Sequence, residues 1–257
     1  MRHEARQVPS WLIFDVGQKM NLFLFSDHAT PASLPLDAQV IAAAGSASPT
    51  VGWIPSGGSP DRTDAYFTER RRYYFEIGVR NVEMFCLHHD FETNDIPRIL
   101  SNDIVHLSGG DPFVFLKNLR ATGLLPALRK RAIEGGVIVG DSGGAMLMAQ
   151  DIEMCRFGHI QVPEGMSSLS ALALVDFDFH PHFGRYGATL EQLKAYSKTR
   201  KRVVYAAQDG GGLAVVGRDI HCHGTVVRIV DGEERPNKAP EPTTMAVTPR
   251  AFSRIPQ

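Results

Sequence analysis

Cysteine is scarce in this sequence and long apolar runs are absent. Both features exclude certain classes of protein. The three cysteines, Cys86, Cys155 and Cys222, are an odd number without paired spacing. They offer no disulfide framework and suit a reducing compartment. No stretch approaches the roughly 18 consecutive apolar residues of a membrane-spanning helix. The opening residues, Met1 to Arg6, lack the apolar core of a secretory signal, so we expect a cytoplasmic protein.

An excess of either charge is also missing, since 27 Lys and Arg residues face 28 Asp and Glu residues. This balance argues against a nucleic-acid partner and against a membrane surface. The one basic cluster, Arg70-Arg71-Arg72, lies in a segment with helical composition, and we interpret it as a solvated helical face. No internal repeat is visible, and we expect one α/β domain over residues 1–235. Residues 236–257 are rich in proline and predict a poorly ordered tail.

Apolar β-rich runs alternate with helical segments, which predicts an α/β fold: a three-layer αβα sandwich around a mostly parallel central sheet. The predicted strands are Asn21 to Phe25, Val51 to Pro55, Val82 to Leu87, Ile104 to Leu107 and Gly136 to Val139. The predicted helices between them are Pro35 to Ala44, Arg62 to Ile77, Phe113 to Thr122 and Leu125 to Glu134. Further on, we predict a pocket-shaping loop at Arg156 to Ser170, a strand at Leu172 to Phe179, a helix at Thr189 to Thr199 and a hairpin at Asp219 to Val230.

The most informative segment runs from Gly136 to Ala149, where an apolar strand leads into Gly-x-Ser-x-Gly and then into a helix-forming run. This is the local pattern of a nucleophile elbow. Gly140 and Gly144 flank the serine because a side chain at either position would collide across the sharp turn. Ser142 is therefore a candidate nucleophile, and the N–H of Gly143 is a candidate oxyanion donor at the start of the following helix.

A serine nucleophile needs a base and a third group that orients the base. We assign the base to His182, which follows the strand Leu172 to Phe179 and so reaches the sheet edge where the elbow lies. His180 is a nearby alternative. For the third member Asp209 follows an apolar strand in the same way, while Asp178, Asp151 and Glu153 are left open as alternatives.

The glycine-rich turn Ser108-Gly-Gly-Asp-Pro112 follows a predicted strand and precedes a helix, so Gly110 is a candidate second oxyanion donor. Two other clusters, His88-His89-Asp90 and His221-Cys222-His223, have metal-ligating side chains. The first lacks distant partners, and a strand would place Cys222 on the opposite face from the two histidines. We interpret both as surface polar residues and expect no metal and no cofactor.

Three segments together resemble the aspartyl dipeptidase (dipeptidase E) and cyanophycinase family of serine peptidases: His106-Leu-Ser-Gly-Gly-Asp-Pro-Phe-Val-Phe-Leu116, Gly140-Asp-Ser-Gly-Gly-Ala145 and Pro181-His182-Phe183. The order and spacing are similar over about residues 20 to 217. The resemblance implies a fold like that of class I glutamine amidotransferases. It also implies Ser142 as nucleophile, His182 as base, Gly110 and Gly143 as oxyanion donors, and Asp209 where relatives often carry Glu.

The chain departs from the family pattern at three places: Gly143 replaces the usual alanine, Asp111-Pro112 replaces Asn-Thr, and Asp209 replaces Glu. Because Asp is one methylene shorter than Glu, we expect a looser contact with His182. The prediction is a serine-type hydrolase of small peptides, and a homodimer is the default expectation for a soluble protein of this size. An amidase or esterase on the same scaffold is one alternative. A non-catalytic binding or regulatory protein of the same fold is the other.

Overall fold

Seven strands form a large, mostly parallel sheet in the computed structural model, which describes residues 20–28, 31–88, 91–158 and 160–237. The strands are β1 (Asn21–Phe25), β2 (Thr50–Ile54), β3 (Asn81–Met84), β4 (Ile104–Leu107), β5 (Val137–Asp141), β6 (Phe177–His180), β7 (Val203–Ala207), β8 (Gly212–Val216), β9 (Asp219–His223), β10 (Val226–Val230) and β11 (Glu233–Arg235). The helices are α1 (Leu34–Ala44), α2 (Pro60–Glu76), α3 (Asp95–Ser101), α4 (Pro112–Ala121), α5 (Leu124–Ile133), α6 (Gly143–Met146) and α7 (Leu190–Arg200).

The large sheet has the order β3-β2-β4-β5-β1-β8-β9. Its first five strands are parallel, and β8 and β9 add two antiparallel pairings at one side. Because parallel strands share their direction, the carboxyl ends of β1, β4 and β5 lie at one edge. The elbow and the glycine-rich turn after β4 therefore start from neighbouring strands.

Alternate residues of the central strands enter two separate cores, which confirms the predicted three-layer arrangement. On β1, Leu22 and Leu24 point into the core that also contains buried residues of α3, α4 and α5. Phe23 and Phe25 point into the opposite core with buried residues of α1 and α2. All four side chains are fully buried. Because both faces of the strand are covered, its sequence is a continuous apolar run and not an alternation of apolar and polar residues.

A second sheet of four strands, in the order β11-β10-β7-β6, was not predicted. The predicted hairpin over Asp219 to Val230 is wrong, because β9 pairs with β8 in the large sheet whereas β10 pairs with β7 and β11 in the small one. The predicted strand from Leu172 is also too long, since β6 begins only at Phe177. The N–H groups of residues 171–175 instead donate to carbonyls of residues 147–150.

Helix ends agree with local capping chemistry. The side chain of Asp111 accepts hydrogen bonds from the N–H groups of Phe113 (2.8 Å) and Val114 (3.2 Å), with Pro112 in the first turn. Asp111-Pro112 is thus a standard helix start. Thr189 and Gln192 form a complete capping box on α7. Of the predicted tail, residues 238–257 lie outside the described residues.

Candidate active site

Ser142 lies between β5 and α6 in a sharp turn, with φ 45° and ψ −113°, a backbone conformation that non-glycine residues seldom adopt. A Cβ at Gly140 would lie 2.7 Å from the Ala145 nitrogen, and one at Gly144 would overlap the Leu107 carbonyl. The collision expected across the turn is present at Gly140, whereas a side chain at Gly144 would collide with the end of the neighbouring strand β4. The helix after the elbow is a single turn, shorter than predicted, because the carbonyls of residues 147–149 accept from the N–H groups of residues 172–175 instead of continuing the helix.

The predicted nucleophile, base and acid are in hydrogen-bond contact in the expected order. The Oγ of Ser142 lies 2.6 Å from Nε2 of His182, and Nδ1 of His182 lies 2.7 Å from Oδ1 of Asp209. His182 carries φ 142°, a second uncommon backbone conformation at this site. With Nδ1–H donated to the carboxylate, Nε2 is free to accept the serine proton, which is the tautomer that a general base requires.

Asp209 is held by several donors, and its contact with His182 is as short as a charge-assisted hydrogen bond requires. Arg185 donates from Nη1 to Oδ2 at 2.8 Å, and the Ser26 hydroxyl lies 3.4 Å from Oδ1. Burial acts to raise the pKa of Asp209, but the hydrogen bonds from His182 and Arg185 outweigh it and lower that pKa. The carboxylate form therefore persists to lower pH than in a free aspartate.

The other acids that sequence reasoning left open are engaged elsewhere. Asp178 lies 2.8 Å from Arg202, and Asp151 accepts from Arg200 (2.8 Å) and Arg202 (2.9 Å). Glu153 pairs with Arg156 at 2.5 Å. None of these four contacts involves His182.

His180 is not brought to Ser142. Its Nε2 accepts a hydrogen bond of 3.3 Å from the N–H of Ala188, and its ring is buried. Burial, together with the nearby His182, lowers the pKa of His180 to about 4, so the ring is neutral at pH 7.

Gly110 and Gly143 lie beside Ser142 on the wall of a cavity of about 110 Å³. In the part of the chain that the structure describes, neither N–H has an acceptor of its own, as an oxyanion donor requires. Gly110 has φ 122°, which favours glycine. A Cβ at Gly143 would overlap the Gly110 carbonyl oxygen, so the departure from alanine fits the close approach of the two loops here.

Arg70 is buried beneath the elbow, which overturns the interpretation of the basic cluster as a solvated face at this one position. Its Nη2 lies 2.9 Å from Oδ2 of Asp141, the residue before the nucleophile. His106 Nε2 approaches the same oxygen at 3.3 Å, and the Tyr74 hydroxyl lies 2.8 Å from His106 Nδ1. Burial acts to raise the pKa of Asp141, but the charge of Arg70 and the contact with His106 lower it overall.

This buried network holds two loops of the site together. An added Cβ on Gly109 would lie 2.9 Å from Oδ1 of Asp141, so the turn after β4 packs directly on the elbow. The missed signal for Arg70 was its spacing: Tyr66, Arg70 and Tyr74 recur every four residues on one face of α2. Arg71 and Arg72 are exposed, as expected.

Metal-ligating side chains do not converge in the described residues, where no group of three His, Cys, Asp or Glu could hold an ion. His89 and Asp90 of one candidate cluster lie outside those residues. None of the described helices combines the length and apolar character needed to cross a membrane.

Comparison with known proteins agrees with the geometry. An uncharacterised peptidase of Pasteurella multocida (strain Pm70) is 25% identical over 170 residues, which cover 64% of this chain and 78% of that protein. Peptidase E of Salmonella newport (strain SL254) is 28% identical over 210 residues, covering 77% and 82%. A crystal structure of a peptidase from an acI-B1 actinobacterium shares the fold with a TM-score of 0.64 at 17% identity, covering 88% of this chain and 97% of that chain.

The family model named peptidase family S51 matches residues 22–223, a segment that includes the elbow, the turn after β4, His182 and Asp209. That match covers most of the chain, including nearly all of the large sheet and strands β6 and β7 of the small one. On this evidence the chain belongs to peptidase family S51.

Proposed function

We propose that this protein is a serine peptidase that hydrolyses small peptides through an acyl-enzyme. The observation that carries the proposal is the continuous hydrogen-bonded chain from Ser142 through His182 to Asp209. The similarity to peptidase E proteins supports a small peptide as substrate. A cytoplasmic location and a homodimer stay predictions from the sequence.

The mechanism follows from the roles that these groups can take. The Oγ of Ser142 attacks the peptide carbonyl while Nε2 of His182 accepts its proton, and Asp209 stabilises the resulting imidazolium. The N–H groups of Gly110 and Gly143 stabilise the oxyanion of the tetrahedral intermediate. The imidazolium then protonates the leaving amine. A water, deprotonated by the same histidine, attacks the acyl-enzyme and releases the acid and the free serine.

The first test is labelling of the purified full-length chain with a fluorophosphonate probe, followed by mass-spectrometric mapping of the labelled residue. We expect label on Ser142 alone, and loss of it in Ser142→Ala and in His182→Ala. Ser167→Ala, which removes an exposed serine, is the matched control and should label like the parent. A folded protein that takes no label would overturn the proposal and favour a non-catalytic binding role.

Reactivity is then connected to peptide hydrolysis with a library of dipeptides and tripeptides. We expect release of free amino acids that falls by about 10⁵-fold or more in Ser142→Ala. Label on Ser142 with cleavage of esters or simple amides but of no peptide would instead indicate the amidase or esterase alternative.

A further inference from the structure

The cavity beside Ser142 has an apolar interior. Its inner wall includes Met146, Met154 and Cys155, which are all buried, and the Sγ of Cys155 lies 3.6 Å from the Sδ of Met146. Methionine side chains are flexible and polarisable, so such a wall adapts to apolar groups of different shape. Such a wall favours binding of an aliphatic or thioether group over a polar group.

Two large apolar side chains stand exposed at the mouth of the same cavity. Ile160 is 41% exposed and Tyr186 is 46% exposed, and both belong to the cavity lining. Together they extend the apolar wall outward. Exposed apolar side chains that cluster around a concave site are typical of a surface that a ligand covers.

Charge is missing from the cavity wall. Among the described residues that line it, none is Lys, Arg, Asp or Glu, and the polar groups come from Ser142, His180, His182, the Cys155 thiol and the Tyr186 hydroxyl. The His180 Nε2 accepts from Ala188, so the ring contributes no charge to balance an ionic guest. Arg185 is largely exposed and paired with Asp209, and it is not part of this lining. A carboxylate or ammonium that entered would lose its hydration without gaining a partner.

The cavity also lies where the acyl side of the substrate must be. A carbonyl carbon attacked by Ser142 places its oxygen near Gly110 and Gly143, and both glycines belong to the cavity wall. The side chain of the same substrate residue branches from the α-carbon, which is bonded directly to that carbonyl carbon. That side chain is therefore the part of the substrate that reaches Met146 and Met154.

We propose that this pocket takes an uncharged, apolar side chain of moderate size, such as that of leucine or methionine, on the residue whose carbonyl Ser142 attacks. The cavity of about 110 Å³ limits the size of that side chain, and the methionines in its wall can adapt to its shape. The proposal rests on the proposed serine peptidase activity and specifies its substrate class.

The test is protection of Ser142 from the fluorophosphonate probe by α-aminoalkyl boronic acids with the side chains of leucine, alanine, aspartate or lysine. These compounds form a tetrahedral adduct with a reactive serine and have no leaving group, so they report the acyl side alone. We expect the leucine analogue to protect at concentrations about 10- to 50-fold below those of alanine. Relative to the aspartate and lysine analogues, we expect a difference of about 100-fold or more.

A charge placed at the rim provides an independent check. Ile160→Arg should weaken protection by the leucine analogue about 10-fold and strengthen protection by the aspartate analogue. Leu34→Arg is the matched control, because Leu34 is similarly exposed at 47% but lies on α1 away from the cavity lining. It should leave the order of the four analogues unchanged. If Ile160→Arg leaves the protecting concentrations of both the leucine and the aspartate analogue unchanged, the proposal is contradicted.

The two levels of the proposal fail in different ways. If Ser142 takes label but the aspartate or lysine analogue protects as well as leucine, or if none of the four protects, the pocket assignment is overturned while the activated serine stands. If Ser142 takes no label at all, the peptidase proposal fails and the substrate class fails with it.

Discussion

At the scale of single residues, Gly143 is the position where this chain differs most informatively from the family pattern. Its Cα packs so closely on the Gly110 carbonyl that a methyl group there would overlap the oxygen. We predict that Gly143→Ala displaces the Gly110 loop and lowers kcat by about 10²- to 10³-fold, as expected when one oxyanion donor is misplaced. Substrate KM should change little, because the loss concerns charge that develops in the transition state.

Steady-state kinetics on a cleaved peptide checks this prediction, with circular dichroism to show that the variant is folded. Gly123→Ala is a useful comparison, because Gly123 has no atom within 4 Å of an added Cβ and lies at the start of α5. It should affect stability through its positive φ of 73° but leave kcat nearly unchanged. Wild-type kcat in Gly143→Ala would show that the loop tolerates alanine and that the departure carries no catalytic constraint.

At the scale of helices and strands, α2 contributes a buried charge rather than only an apolar face. The guanidinium of Arg70 and the carboxylate of Asp141 are each about 3% exposed. We predict that Arg70→Met lowers the free energy of unfolding by about 3–5 kcal/mol, because the buried carboxylate of Asp141 loses its cationic partner. Arg71→Met, one residue along the same helix and exposed, should stay within about 0.5 kcal/mol of the parent.

Denaturant unfolding at pH 7 measures both variants. The double variant Arg70→Met with Asp141→Asn separates loss of packing from loss of charge, since it leaves no uncompensated carboxylate. It should recover part of the lost stability. Equal stability of Arg70→Met and Arg71→Met would refute the structural role given to the buried pair.

The sequence predicted those strands and helices that are marked by residues within the element or directly beside it. The bounds of β1 and β4 agree with the structure, because short apolar runs with adjoining turn residues mark their ends. Helix α3 was missed, since its seven residues bury only Ile99 fully and carry no clear period. The second sheet was missed for a different reason: apolar periodicity identifies a strand without indicating which strand it pairs with.

The candidate site was predicted better than the architecture that assembles it. Ser142, His182 and Asp209 were each recognised from a strand end followed by a turn, and the structure brings them into contact. All three residues were expected at the edge of one sheet, whereas His182 and Asp209 follow strands of the small sheet. The four-residue spacing of Arg70 could have indicated a buried face of α2, but its partner, Asp141, lies 71 residues away and could not be recognised from that spacing.

At the scale of the whole molecule, the site depends on how the two sheets pack against each other. Ser142 follows β5 of the large sheet, and its partners follow β6 and β7 of the small one. One core joins them, since Leu107 and Ile138 share it with Phe177 and Phe179. The 2.6 Å separation of Ser142 and His182 is thus a tertiary property, and any loss of packing between the sheets would lengthen it.

Acid should loosen this packing through three buried histidines, His28, His106 and His180. Burial is the largest cause and lowers the pKa of each; at His106 the contact with Asp141 opposes this effect without cancelling it. A histidine with a lowered folded pKa contributes stability that is fully present above its ordinary pKa of 6.5 and is lost as pH falls toward the folded value. Burial also raises the pKa of Asp37 and of Asp178 to about 6, which acts in the opposite sense over part of this range.

Comparison of the parent with a His180→Gln variant separates one of these contributions from the others, because Gln can still accept from the N–H of Ala188 and does not titrate. The pKa of His180 in the folded protein is about 4. Between pH 7 and pH 5 the free energy of unfolding of the parent should therefore fall by about 2 kcal/mol because of this residue, and the variant should not show that loss. Urea unfolding at pH 8, 7, 6 and 5 measures the difference. The two curves should run parallel from pH 8 to 7 and diverge below 6.5, with the parent falling faster. Parallel curves down to pH 5 would mean that His180 is protonated as readily in the folded chain as in the unfolded one.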